Sequence, residues 1–219
     1  DDKMLDDLDH ETAKPAFEGR IHPLQLALDV QGAMSDGDWL VIDGGNTHFW
    51  SEIAVNIAGF QGKKLGGILH PGTFSLLGVG VSFAVSAKNV DPNRNVVLIS
   101  GDGAFLSGGL SIEAAFQENR PIVVVIDNNG GLDCISQQQE RLFASGTHYA
   151  TDFRDIPFHA MFEGLGGHGE LVTRREDIIP AVQRAMASGK TACVNVKVKG
   201  VISPIVLATT SKRDKASIE

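Results

Sequence analysis

Apolar residues in this chain fall into short runs that alternate with stretches of helical spacing. Trp39-Leu40-Val41-Ile42, Val96-Val97-Leu98-Ile99 and Ile122-Val123-Val124-Val125-Ile126 are uninterrupted and mostly β-branched. They read as strands buried on both faces. Leu171-Val172 and Cys193 to Val198 read as two further strands, and Ile68 to Thr73 as a strand and turn. Between them, Leu24, Leu26, Leu28, Val30 and Met34 give His22 to Met34 helical spacing, with Pro23 at the favoured first helical position. The same reasoning predicts helices from about His48, over Gly78 to Ala87, over Leu106 to Asn119 as one unit, and over Cys134 to Phe143, Ile156 to Gly164 and Arg175 to Ala187. Regular β-then-α order implies an α/β fold, a doubly wound and mostly parallel sheet with helices on both faces. No internal repeat or low-complexity segment interrupts it.

The ends are different in character. Residues 1–19 carry Asp1, Asp2, Asp6, Asp7, Asp9 and Glu11 and read as a solvated acidic arm. Residues 20–200 form the domain. Residues 201–219 run past the last strand as a tail in which Lys212, Arg213 and Lys215 cluster.

Polar residues concentrate where the buried strands end. Val96 to Ile99 leads into Gly101-Asp102-Gly103, and Ile122 to Ile126 leads towards Asn128-Asn129. The carboxyl edge of a parallel sheet is where such folds bind ligands. Asp and Asn oxygens are hard donors suited to Mg²⁺ or Ca²⁺. Glycines beside the carboxylate let backbone N–H groups approach a phosphate. Trp39 to Ile42 ends likewise in Asp43-Gly44-Gly45-Asn46-Thr47. Turns also favour Gly, Asp and Asn, so an Asx turn after each strand is the competing explanation.

Asp102 and the double Asn, each after a strand, resemble the thiamin diphosphate signature. The resemblance covers Arg20 to Pro204 and points to the cofactor-diphosphate domain of the superfamily of acetolactate synthases, 2-oxo acid decarboxylases and 2-hydroxyacyl-CoA lyases. It implies Asp102, Asn129 and the carbonyl of Gly131 as ligands of Mg²⁺, and Gly101, Gly103 and Ala104 beside the diphosphate. Gly45, Asn46 and Thr47 resemble the first diphosphate-contacting turn, in a form similar to the acyl-CoA members. Ser75 to Gly80 resembles the segment between the two cofactor rings, and Leu77 holds the position of the apolar residue that keeps the cofactor bent. Ordinary core at a helix start is the alternative for Leu77. His70, just before that segment, is a candidate acid or base. His48, His148, His159 and His168 show no metal-ligand spacing and read as structural or surface residues. Cys134, close after the double Asn, is placed to line the site, with a small core thiol the preferred reading.

The resemblance also implies a partner. Enzymes of this superfamily use a second domain that holds the aminopyrimidine and supplies a glutamate. No second α/β unit and no candidate for that glutamate is present, so the chain is read as the small subunit of a split enzyme or a carboxyl-terminal fragment. Substrate expectations are 2-hydroxyacyl-CoA thioesters, with the tail closing over the site and its cations meeting CoA phosphates. A 2-oxo acid decarboxylase or acetolactate synthase-like carboligase is the alternative, and a non-catalytic regulatory module a second one. Ile135-Ser136-Gln137-Gln138-Gln139 lacks the Trp that acetolactate synthases carry there.

Composition bounds these readings. With 219 residues and a net charge of −8, the chain is long enough for a sizeable core and lacks a basic nucleic-acid surface. No run approaches the about 18 apolar residues of a membrane span. Two cysteines, Cys134 and Cys193, suggest no disulfide framework and fit a reducing, cytoplasmic setting.

Overall fold

The computed structural model describes residues 6–7, 17, 19–143 and 146–208. Helix α1 (Pro23–Ala33) begins at a reciprocal cap. His22 Nδ1 accepts the Leu24 N–H at 3.0 Å, and Gln25 Oε1 accepts the His22 N–H at 3.2 Å. These bonds use two of the donors that every helix start leaves over. Then follow β1 (Trp39–Asp43), α2 (Asn46–Phe60), β2 (Gly67–Leu69), α3 (Gly80–Val90), β3 (Val96–Gly101), α4 (Asp102–Gly108), α5 (Glu113–Gln117) and β4 (Val123–Asn128). The chain continues through α6 (Asp133–Leu142), α7 (Phe158–Gly164), β5 (His168–Val172), α8 (Ile178–Ala187) and β6 (Ala192–Lys197).

The six strands form one all-parallel sheet in the order β2-β1-β3-β4-β6-β5. Alternate residues of the same strands feed two cores. Leu40, Ile42, Val97, Ile99, Val123, Val125, Val194 and Val196 pack with α1, α2 and α8. Val41, Leu98, Val124, Ile126 and Cys193 pack with α3, Phe105 of α4, Ala115 of α5, and Phe158 and Phe162 of α7. Two-sided burial is why these strands read as continuous apolar runs. Between β1 and β3 the order reverses, since β2 lies to one side of β1 and every later strand to the other. That reversal opens a crevice at the carboxyl ends of β1 and β3.

The single helix expected over Leu106 to Asn119 is replaced by three pieces. Helix α4 starts earlier, at Asp102, a 3₁₀ turn spans Gly109–Ile112, and α5 follows. The break lies where Gly108 meets Gly78, and a Cβ on Gly108 would sit 2.0 Å from the Gly78 carbonyl oxygen. Because that neighbour is backbone, it has little room to yield. Gly108→Ala is therefore expected near the upper end of the roughly 1–3 kcal/mol cost of overpacking. Gly59, in α2, has open space around it, and Gly59→Ala should gain about 0.5–1 kcal/mol of helix stability. Thermal melts of the two variants check this: the first should melt several degrees below wild type, the second at or above it.

No helix among the described residues is long and apolar enough to cross a membrane. Cys134 and Cys193 are both free. The acidic arm lies almost wholly outside the described residues.

Candidate functional site

Three strand ends and one turn enclose a cleft of about 330 Å³. The end of β1 contributes Gly44 to Phe49, and the end of β3 contributes Gly101 to Ala104. The loop after β4 adds Asn129 and Gly131 to Ile135, and Ser75 and Leu77 close the far side. A larger depression of about 580 Å³ lies at the carboxyl ends of α1 and α2. Its charges are already engaged, Arg175 with Asp29 and Lys63 with the Met34 carbonyl. We place the chemistry in the smaller cleft, at the strand ends.

Asp102 is 2% exposed and opens α4. Its Oδ1 accepts the Gly103 N–H at 2.7 Å, and its Oδ2 accepts those of Gly130 at 2.8 Å and Gly131 at 3.1 Å. The β4 loop is thus folded onto the β3 carboxylate. A second clamp comes from residues 151–153. Leu132 N–H donates to the Thr151 carbonyl and Phe153 N–H to the Gly130 carbonyl, each at 2.8 Å. A Cβ on Gly131 would fall 2.6 Å from the Thr151 oxygen, and one on Gly103 would fall 2.4 Å from Leu132. The two Asn residues part company here. Asn128 is buried and donates to Asn195 Oδ1 at 2.9 Å, whereas Asn129 lines the cleft. Asn129 Oδ1 accepts the Gly131 N–H at 3.1 Å, so Asp102, Asn129 and Gly131 are tied together on one wall of the cleft.

The first turn is built differently from expectation. Asn46 and Thr47 line the cleft, but their side-chain polar atoms are engaged with protein. Asn46 donates to Gln137 Oε1 at 3.1 Å and accepts the Ser203 N–H at 3.1 Å. Thr47 Oγ1 donates to Asp127 Oδ2 at 2.8 Å. At the start of α2 the His48 and Phe49 N–H groups donate to the Gly45 carbonyl at 3.1 and 3.5 Å, so what the turn can offer a ligand is the backbone N–H groups of Asn46 and Thr47. Ser203, with Trp50 donating to the Val201 carbonyl at 2.9 Å, anchors the beginning of the tail over this turn. Lys212, Arg213 and Lys215 lie outside the described residues.

Leu77 is 38% exposed and faces the cleft, so it is not helix-start core. Asp43 holds its segment. Oδ2 of that buried carboxylate accepts the Gly78 N–H at 3.0 Å and the Gly80 N–H at 2.7 Å. Cys134 also departs from expectation: it is only partly buried and lines the cleft. Burial raises its thiol pKa, which keeps it protonated. His70 lies outside the cleft, in a neighbouring depression with Glu52 and Ile68. His48, read from sequence as a structural or surface residue, packs against it with ring centroids 5.1 Å apart.

Asp43, Asp127 and Gln137 were not singled out from the sequence. A carboxylate at the end of a parallel strand was the available signal for Asp43. For Asp127 and Gln137 no local pattern exists, because each bonds a residue more than 75 positions away.

Three carboxyls crowd this end of the sheet. Desolvation raises Asp102 to about 6, Asp127 to about 7 and Asp133 to about 6. The negative charge of Asp102 pushes Asp127 and Asp133 further up, while N–H bonds from Gly130, Gly103 and Gly131 restrain Asp102 itself. Each folded-state value lies above the unfolded one, so the folded chain holds more protons between about pH 4 and 7. Stability therefore falls as pH rises through that window and levels above it. The ligand-free chain should melt at a higher temperature at pH 5 than at pH 8. A melting temperature that climbs across that range would contradict the burial argument.

Comparison with known proteins now bears on this geometry. The thiamine pyrophosphate enzyme C-terminal TPP-binding domain matches residues 43–196. The acetolactate synthase large subunit of Mycobacterium tuberculosis is 34% identical over 182 residues, covering 80% of this chain and 31% of that protein. The 2-hydroxyacyl-CoA lyase 2 of Danio rerio is 27% identical over 202 residues, covering 89% and 31%. A Rhodococcus jostii thiamine diphosphate-dependent 4-hydroxybenzoylformate decarboxylase superposes with a TM-score of 0.69 at 26% identity, over 84% of this chain and 34% of that one. The chain spans about a third of the length of the curated relatives it matches. The matched domain runs from the Asp43 turn through the Asp102 and Asn129 loops to β6, and the chain belongs to the thiamine pyrophosphate-dependent enzymes, whose C-terminal TPP-binding domain it carries.

Proposed function

We propose that this chain holds the diphosphate and Mg²⁺ of thiamin diphosphate in a carbon–carbon lyase or synthase that cleaves or forms 2-hydroxyacyl-CoA thioesters. The convergence of Asp102, Asn129 and the Gly131 carbonyl on one cleft, opposite Leu77, carries the reading. The donor set fits Mg²⁺, which takes carboxylate, carbonyl and phosphate oxygens. When bound, the thiazolium of thiamin diphosphate supplies an electron sink beside a carbonyl. The chain's own residues anchor and orient. The start of α2 would offer backbone N–H groups to an anion, Asp43 fixes the segment bearing Leu77, and Leu77 would fill the space between the cofactor rings.

Two observations favour thioesters. The Gly45-Asn46-Thr47 turn resembles the acyl-CoA members, and 2-hydroxyacyl-CoA lyase 2 is among the relatives. Lys212, Arg213 and Lys215 in the tail would meet CoA phosphates. His70, beside the cleft, is kept as a candidate acid or base. The second reading is an acetolactate synthase-like carboligase or 2-oxo acid decarboxylase, favoured by the 34% identity with acetolactate synthases. Truncation after Leu207 separates the two. A thioester enzyme should lose affinity for its substrate, and the loss should shrink at high salt, where screening removes the charge contribution. Unchanged kinetics, with free 2-oxo acids turned over faster than any thioester, would favour the second reading.

The active enzyme, read as cytoplasmic, includes a pyrimidine-binding domain and its glutamate, carried by a partner chain or by a longer form of this one. The isolated chain is expected to bind cofactor but not to turn over substrate. Full activity of the pure polypeptide would overturn the partner requirement and leave the cofactor site standing, whereas no turnover with any partner would favour a regulatory module.

A further inference from the structure

We propose that His48, Glu52 and His70 form a second cation site, for Zn²⁺, at the rim of the cofactor cleft. His48 and Glu52 stand one turn apart on α2, with Nε2 and Oε1 2.9 Å from each other. His70 approaches from the segment after β2, its Nδ1 3.9 Å from the same Glu52 oxygen. The three candidate ligand atoms all lie within 4.8 Å of one another. Bonds of about 2.0–2.2 Å to a tetrahedral ion would separate such atoms by about 3.4 Å. The observed spacing therefore needs only a small turn of the His70 ring. That ring is on the accessible side, and turning it gives up one 3.2 Å bond from the Gly72 N–H.

The chemistry of the donors selects the ion. Two imidazoles and a carboxylate suit first-row transition ions, whereas the all-oxygen set at Asp102 suits Mg²⁺. Three protein ligands leave a fourth position for water or a substrate oxygen. An approach exists: Glu52 and His70 line an open depression of about 420 Å³ beside the cleft. The site is also held in place. The His48 imidazole is buried and stacks on Phe49 with centroids 5.3 Å apart and planes 4° from parallel. His48 lines the cofactor cleft as well, so the ion would stand at the rim of that cleft rather than at a remote surface.

The test uses Zn²⁺ calorimetry and Co²⁺ absorption on the full 219-residue chain carrying Asp102→Ala, and on wild type in saturating Mg²⁺. The variant removes the charged ligand of the oxygen site, Mg²⁺ competes for that site in the wild type, and both leave the histidine site intact. One equivalent of Zn²⁺ should bind, and Co²⁺ should give visible bands of a low-coordinate nitrogen–oxygen site. His70→Ala and Glu52→Gln should each weaken binding on the order of tenfold or more, at least the loss seen when only an outer-shell partner is removed. His70 is surface-placed, so its loss leaves the fold intact. His148→Ala, at an unrelated exposed His–Glu–Asp cluster, should change nothing. Absence of Zn²⁺ binding in both preparations, or an affinity unmoved by His70→Ala, would overturn the proposal.

Discussion

Asp102→Ala is expected to abolish Mg²⁺-dependent binding of thiamin diphosphate while the chain keeps its fold. The carboxylate holds the loop after β4 through the N–H groups of Gly130 and Gly131, takes a third N–H bond from Gly103 in α4, and is the one charged group among the proposed ligands. Losing it should cost on the order of 100-fold or more in affinity, beyond the effect of removing an outer-shell partner. Stability should change little, because two effects oppose. Three N–H groups lose their acceptor, which costs about 1–3 kcal/mol per group left dry. Against that, the burial that raises the Asp102 pKa to about 6 is relieved. Asn129→Ala should weaken binding in the same direction. Calorimetry beside a thermal melt distinguishes a lost ligand from a lost fold, and tight binding by a folded Asp102→Ala chain would sink the assignment.

Leu77→Ala should lower turnover of the completed enzyme far more than it lowers affinity for thiamin diphosphate. The proposed diphosphate anchors, at the ends of β3 and β4 and the start of α2, are untouched by this change. What is lost is the side chain proposed to hold the two rings against each other. Leu77 is 38% exposed, so truncation should cost much less than the about 2–5 kcal/mol of a core Leu→Ala. An activity loss without a matching fall in melting temperature is therefore the expected signature. Equal turnover would reduce Leu77 to one more apolar wall residue.

Much of this was legible along the chain, and the reason is burial. Strands covered on both faces must be apolar throughout, so β1, β3 and β4 stand out as runs, and the polar residues that end them mark the ligand edge. Glycines at 101, 103 and 131 are legible for a related reason, since side chains there would strike Leu132, Thr47 or the 151–153 segment. Missed features depend on neighbours that only the fold supplies. The interruption of the predicted Leu106 to Asn119 helix arises from the Gly78–Gly108 approach, which no local propensity encodes. Thr47 and Asn46 have the right types for diphosphate contact, yet their polar atoms are turned towards Asp127, Gln137 and Ser203. His48 and Glu52 carry a one-turn spacing, but their third companion, His70, arrives from another element.

The central claim is that this cleft grips the diphosphate through a metal on Asp102, Asn129 and Gly131. Titration of the wild-type chain with thiamin diphosphate and with thiamin, each in Mg²⁺ and again in excess chelator, tests it most directly. Heat of binding is expected only for thiamin diphosphate with Mg²⁺. Equal binding of thiamin, or binding of the diphosphate undiminished by chelator, would contradict it.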